Sequence, residues 1–151
     1  MAKSEFVYVT YIRTTPEKLW RALTEPEFTR QYWFGITQES DWTAGASWCM
    51  KFSDGRIADA GEVVEAEPYR RLVLKWQHEM RPELKAEGYS RMTYELEQKG
   101  EDVKLTVLHE MDVPDSKFIV AVSGGWPMIL SSLKSFLETG KPLGEMSHSP
   151  K

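Results

Sequence analysis

Three histidines and one cysteine are the first residues of this chain to weigh for chemistry. His78 precedes Glu79 and His109 precedes Glu110, a base beside a carboxylate in each case. Both pairs fall in stretches that alternate apolar and polar residues. Neighbours on a strand point to opposite faces, so neither pair is a dyad by adjacency. Cys49 alternates with Trp48 and Met50, which places its thiol on the other face with no base beside it in sequence. That pattern fits a structural thiol better than a nucleophile. One cysteine allows no internal disulfide. Together with separated histidines it does not make a zinc ligand set. Neither GxxxxGK[ST] nor GxGxxG occurs. No metal and no cofactor is expected. His109 could act as an acid or base inside a pocket, against the commoner role of a satisfied core histidine.

The elements that must position such residues are legible. Residues 5–12, EFVYVTYI, are β-branched and aromatic and predict a strand. Thr15-Pro16 opens a helix with the apolar stripe Leu19, Trp20 and Leu23. A capping box from Thr24 to Glu27 predicts a second short helix reaching about Tyr32. Strands then follow over 47–52 and 57–66, joined by the turn dipeptide Asp54-Gly55. Further strands are predicted over 72–78, 89–98 and 103–110, with residues 80–88 as a polar loop. Residues 126–138 predict a helix with apolar residues at 126, 129, 130, 133, 136 and 137. Ser131, Ser132, Lys134 and Ser135 take its other side. Gly124 and Gly125 leave it open whether residues 118–122 form its first turns or a separate helix. A single domain over 1–140 and a mobile tail over 141–151 are expected.

Order and connection lengths predict an α+β fold. A curved antiparallel sheet of about six or seven strands carries two short helices after its first strand and one long helix at the end. A net charge of −4 and scattered basic residues argue against nucleic acid. No apolar run approaches the ~18 residues of a membrane span, and the first residues, MAKSEF, have no signal-peptide core. A cytoplasmic protein is the expectation.

Three stretches carry a resemblance: TTPEKLWRALTEPEFTRQYWFG, SDGRIADAGEVVEAEPYRRLVLKW and GGWPMILSSLKSFLETGKPL. In this order, over almost the whole chain, the sequence resembles the START-like (SRPBCC) helix-grip superfamily. More narrowly it is similar to homologues of the activator of the heat-shock protein ninety ATPase. The resemblance implies a long helix roofing a cavity on the sheet. It also implies a candidate chaperone partner, in a superfamily that includes carriers, receptors, cyclases and chaperone cofactors.

The candidate ligand-binding residues are Tyr8, Thr10, Trp33, Trp48, Met50, Phe52, Trp76, Met92, Tyr94, His109, Trp126, Ile129, Leu130 and Leu133; none is assigned a catalytic role. Met and aromatic groups suit an irregular apolar ligand, and they equally suit a filled core. A dry cavity of about 300 Å³ would cost ~7 kcal/mol, against a domain stability of ~5–15 kcal/mol. Three functions follow from this reading. The first is binding of a small hydrophobic or aromatic molecule without catalysis. The second is a protein-interaction module with its patch at Trp33. The third is a cyclase- or hydrolase-type enzyme using His109, Tyr94 or Arg91. Val7, Val9 and Tyr11 make the first strand apolar on its other face too, which fits either a neighbouring subunit in a homodimer or an ordinary central strand.

Overall fold

The structure is a computed structural model and describes residues 3–143. Strand β1 (Ser4–Ile12) is followed by helices α1 (Pro16–Thr24) and α2 (Pro26–Tyr32). Strands β2 (Thr37–Ser40), β3 (Ser47–Lys51), β4 (Ile57–Glu67) and β5 (Arg71–His78) come next. A single turn, α3 (Pro82–Lys85), leads to β6 (Ser90–Lys99), β7 (Asp102–Met111) and the long helix α4 (Lys117–Thr139). The sheet has seven strands in the order β1-β7-β6-β5-β4-β3-β2. Every neighbouring pair is antiparallel. Each strand is joined to the next by a short connection except β1, which the last strand reaches from the far side.

The alternation does its expected work. Along β7 the odd residues Val103, Leu105, Val107, His109 and Met111 are buried and the even ones are not. Leu72, Leu74 and Trp76 of β5 and Met92, Tyr94 and Leu96 of β6 face the same side. Gly61 of β4 stands where β5 crosses closest. A Cβ there would lie 1.8 Å from the Lys75 carbonyl oxygen, so no larger residue keeps this pairing. Helix α4 lies across the concave face with Trp126, Ile129, Leu130 and Leu133 buried under it.

Local chemistry explains the ends of the helices. Thr15 caps α1, its hydroxyl accepting from the Lys18 N–H at 3.2 Å. Gly140, at φ 85°, closes α4 in the left-handed conformation that glycine permits. The start of α4 is held by two groups. Ser116 accepts from the Ile119 N–H at 3.1 Å, and the Glu87 carboxylate accepts from the Lys117 N–H at 2.9 Å. Burial raises the Glu87 pKa, but its hydrogen bonds from Ser116 and the backbone outweigh that and leave it lowered.

Several sequence expectations are corrected. The Thr24–Glu27 capping box does not form: Thr24 belongs to α1 and its hydroxyl donates to the Trp20 carbonyl at 2.8 Å. Glu25 is the cap of α2, with Pro26 in the first turn. The polar stretch Thr37–Ser40 is a strand because it pairs with β3, and the loop over 80–88 contains α3. Residues 117–139 are one helix running through Gly124, Gly125 and Pro127. Phe118 and Ile119 share a buried face with Trp126 and Ile129, and that packing outweighs the weak helix propensity of the glycines and proline. Ser132, expected on the exposed side, is fully buried. The expected tail over 141–151, from residue 144 onward, and His148 within it lie outside the described residues.

Candidate functional site

A cavity of about 290 Å³ lies between the first half of α4, the end of α2 and the ends of β3, β4 and β5 nearest α3. Its walls are mostly aromatic and aliphatic. Trp33 and Phe34 come from the end of α2, Met50 and Phe52 from β3 and the turn after it, Ala58 from β4 and Trp76 from β5. Leu84 of α3 closes one side. Phe118, Val122, Gly125, Trp126 and Ile129 form the roof. Exposed Arg81 and Ala121 mark the open side.

The tryptophans are locked by their neighbours. Trp126 meets Trp33 edge-on at 5.5 Å between ring centroids and Trp76 at 5.8 Å. Behind them Trp48 packs on Trp76 at 4.7 Å, and Tyr94 meets Trp126 edge-on at 5.9 Å. Such edge-on pairs add about 0.5–1.5 kcal/mol each beyond area burial, so these rings form a stiff wall.

Polar groups fix their orientation. Trp126 Nε1 donates to His109 Nδ1 at 3.1 Å. The indole N–H can only donate, so Nδ1 carries no proton and Nε2–H faces Ser90 Oγ at 2.8 Å. Ser90 in turn donates to the Trp76 carbonyl at 3.0 Å. His109 is thus a neutral, fully satisfied core histidine, and burial pushes its pKa down to about 3. Trp76 Nε1 donates to Asp59 Oδ2 at 2.7 Å, and His78 Nδ1 lies 3.3 Å from the same oxygen. Asp59 and His78 face each other across β4 and β5 and both line the cavity. His78 Nε2 is buried and has no hydrogen-bond partner.

Six of the residues singled out in the sequence line this cavity: Trp33, Met50, Phe52, Trp76, Trp126 and Ile129. Trp48, Met92, Tyr94, His109, Leu130 and Leu133 are buried behind the wall or further along α4. Tyr8 and Thr10 face inward on β1, partly buried, away from the cavity. Burial holds the Tyr94 phenol well above its usual range. Arg91 is exposed and lies on the outer face of β6, opposite Met92. Burial also raises the Cys49 thiol, which leaves it the weaker nucleophile. Sequence reasoning missed Asp59, His78, Arg81, Leu84 and Phe118. His78 continues the parity of Leu74 and Trp76, a signal the sequence does contain. Asp59 needs the β4–β5 register, which it does not.

A seven-stranded antiparallel sheet gripping one long helix, with two short helices after the first strand, defines the helix-grip class, START-like or SRPBCC. The family described as Activator of Hsp90 ATPase homolog 1-like protein matches residues 13–138, and the chain belongs to it. No curated protein matches the sequence. Solved structures do. Protein MLL2253 from Mesorhizobium loti is 24% identical with a TM-score of 0.76, covering 89% of this chain and 97% of its own. The Aha1 dimer from Colwellia psychrerythraea is 20% identical with a TM-score of 0.72, covering 91% of this chain and 98% of that one. DynU16, a protein of the dynemicin biosynthetic locus, is 24% identical with a TM-score of 0.73 over 91% of this chain. This chain covers 48% of the length of DynU16. At these identities the likeness is one of fold. Among the described residues, no helix is long and apolar enough to cross a membrane.

Proposed function

We propose that the protein binds a small hydrophobic or aromatic molecule in the cavity between α4 and the sheet, without catalysing its conversion. One observation carries this reading. A cavity of about 290 Å³ has aromatic walls from three separate parts of the chain, and those walls are held rigid from behind. Ligand sites are typically concave, mostly apolar and supplied with a few placed polar groups, here Asp59, His78 and Arg81. The volume suits a molecule of one or two fused rings. His109, the acid or base that the sequence offered, is neutral and has both ring nitrogens occupied, which favours binding over an enzyme built on that residue. The interaction-module reading draws on the family description and places its patch at Trp33. Trp33 is 8% exposed and turned under α4, which gives that reading little support there.

A homodimer is a second, compatible proposal. β1 is an edge strand, and Val7, Val9 and Tyr11 on its outer face are 52%, 43% and 50% exposed. At one end of this edge, Lys134 of α4 donates to the Tyr11 carbonyl at 2.7 Å and Glu138 accepts from the Arg13 N–H at 2.9 Å. The stretch from Glu5 to Val9 has no such cover from α4, and a second copy could pair with it. The Colwellia relative is itself a dimer.

Native mass spectrometry of the purified protein tests both readings at once. The expected spectrum shows twice the chain mass and, on each chain, a non-covalent adduct of a small organic molecule that organic solvent removes. A bare chain that also fails to retain any added bicyclic aromatic contradicts the ligand reading. A bare monomer at tens of micromolar contradicts the dimer.

A further inference from the structure

We infer that residues 117–123, the first two turns of α4, are a hinged flap that swings at Gly124 and Gly125 to let the occupant of the cavity in and out. The inference rests on the ligand-binding reading above and adds to it the route by which the site fills.

The joint is built from three features within residues 123–127. Sharp helix bends occur at proline, at glycine and serine pairs, and where a side chain intrudes on the backbone ladder. Ser123 Oγ donates to the Val120 carbonyl at 2.7 Å, and so competes with the Gly124 N–H for that oxygen. Gly124 and Gly125 follow, and a Cβ on either would meet nothing within 4 Å. Packing therefore does not ask for glycine at either place, whereas bending does. Pro127 has no N–H, so the Ser123 carbonyl receives no bond from four residues on.

The two sides of the joint are held differently. Beyond it, Trp126, Ile129, Leu130 and Leu133 are buried. Lys134 and Glu138 tie that half to the Tyr11 carbonyl and the Arg13 N–H. Before it, Phe118 and Ile119 are buried, but Val120 is 69% exposed and Ala121 is exposed as well. Phe118, Ala121 and Val122 line the cavity, so a swing of this segment widens the open side while Trp33, Trp76 and Trp126 stay in place. A polar latch holds the start of the flap. Glu87 accepts from Ser116 Oγ at 2.6 Å and from the Lys117 N–H at 2.9 Å, and the Ser116 N–H donates to Ser4 Oγ at 2.8 Å. This latch and the burial of Phe118 and Ile119 keep the closed form dominant and make the open one a minor, transient state.

Hydrogen exchange of the ligand-free chain reads the joint, and the binding kinetics of a probe read its use. The N–H groups of Gly125 and Trp126 bond across the joint, so their protection should be at least tenfold lower than that of Ile129 and Leu130. Stopped-flow tryptophan fluorescence gives the association and dissociation rates of 2-naphthol. Gly124 is exposed and does not line the cavity, so Gly124→Ala stiffens the joint without a new contact. It should slow both rates about fivefold, the ratio that glycine's helix deficit corresponds to, with affinity within twofold of the parent. This variant should melt no lower than the parent, which separates a changed joint from a lost fold. Glu87→Gln, which loosens the latch, should speed both rates at least threefold. Equal protection at the four amides, or rates for Gly124→Ala within twofold of the parent, would overturn the flap and leave the ligand-binding reading standing. Failure of 2-naphthol to bind the parent chain would overturn that reading and the flap's role together.

Discussion

At the residue scale, His109 is the clearest case of geometry deciding between two roles. Its Nδ1 takes the Trp126 indole proton and its Nε2–H reaches Ser90, so a second proton would break the bond to Trp126. Burial pushes its pKa to about 3, well below the ~6.5 of an exposed histidine. The sign of the linkage follows. Above pH 6.5 both folded and unfolded chains hold a neutral imidazole and the residue has no effect on the pH dependence. As pH falls toward 3, the unfolded chain binds a proton that the folded one refuses, and stability drops by about 1.4 kcal/mol per unit. Between pH 6.5 and 5 this residue should remove about 2 kcal/mol. Urea melts of the parent and of His109→Gln at pH 5, 6 and 7 check it. The expected variant is less stable at pH 7 and nearly flat over this range. Parallel pH profiles would contradict the wiring of Trp126 to a neutral His109.

The same scale shows what the sequence could and could not reveal. Alternation correctly turned Trp76, Met50 and Met92 inward. Inwardness does not say which end of a curved sheet leaves space. Met92 and Trp76 share a face, yet only Trp76 reaches the cavity. The pairing of His78 with Asp59 was invisible because the two meet only across a strand pairing with a register shift between Val63 and Glu65. No local pattern encodes that shift.

At the element scale, α4 is the most informative feature. Glycine costs about 1 kcal/mol and proline about 3 kcal/mol in a helix interior, yet α4 runs unbroken through Gly124, Gly125 and Pro127. A Cβ on either glycine would meet nothing within 4 Å, so close packing does not demand them. Gly125 lines the cavity, and its missing side chain leaves room there. Gly125→Leu separates the two consequences. Stability to urea should rise by about 1 kcal/mol, because leucine favours the helix. Affinity for a bicyclic aromatic should fall tenfold or more, because the side chain occupies the roof of the site. A variant that is destabilised and binds as before would show that the glycine serves packing instead.

Elements with strong periodicity were legible in the sequence, and those without it were not. β7 alternates cleanly, and β5, β6 and β7 were all predicted within a residue or two. β2, Thr37–Ser40, is polar and short, and it exists because β3 pairs with it. The question that Gly124 and Gly125 left open is closed by burial of Phe118 and Ile119, which joins both halves of α4 to one core.

At the scale of the whole molecule, a meandering sheet and one terminal helix build a rigid shell whose filled half and open half are different structures. The half under Leu130 and Leu133 is packed shut. The half under Phe118 to Trp126 keeps a cavity of about 290 Å³. Family membership and the solved relatives fix the shell.

The central claim is that this open half takes an aromatic molecule, and the six tryptophans report on it directly. A two-dimensional nitrogen–proton spectrum resolves each indole N–H while a bicyclic aromatic is added. The signals of Trp33, Trp76 and Trp126 should shift in a saturable way while those of Trp20 and Trp42 stay still. Saturable shifts confined to Trp20 or Trp42, or no shift at any indole up to the solubility of the probe, would contradict it.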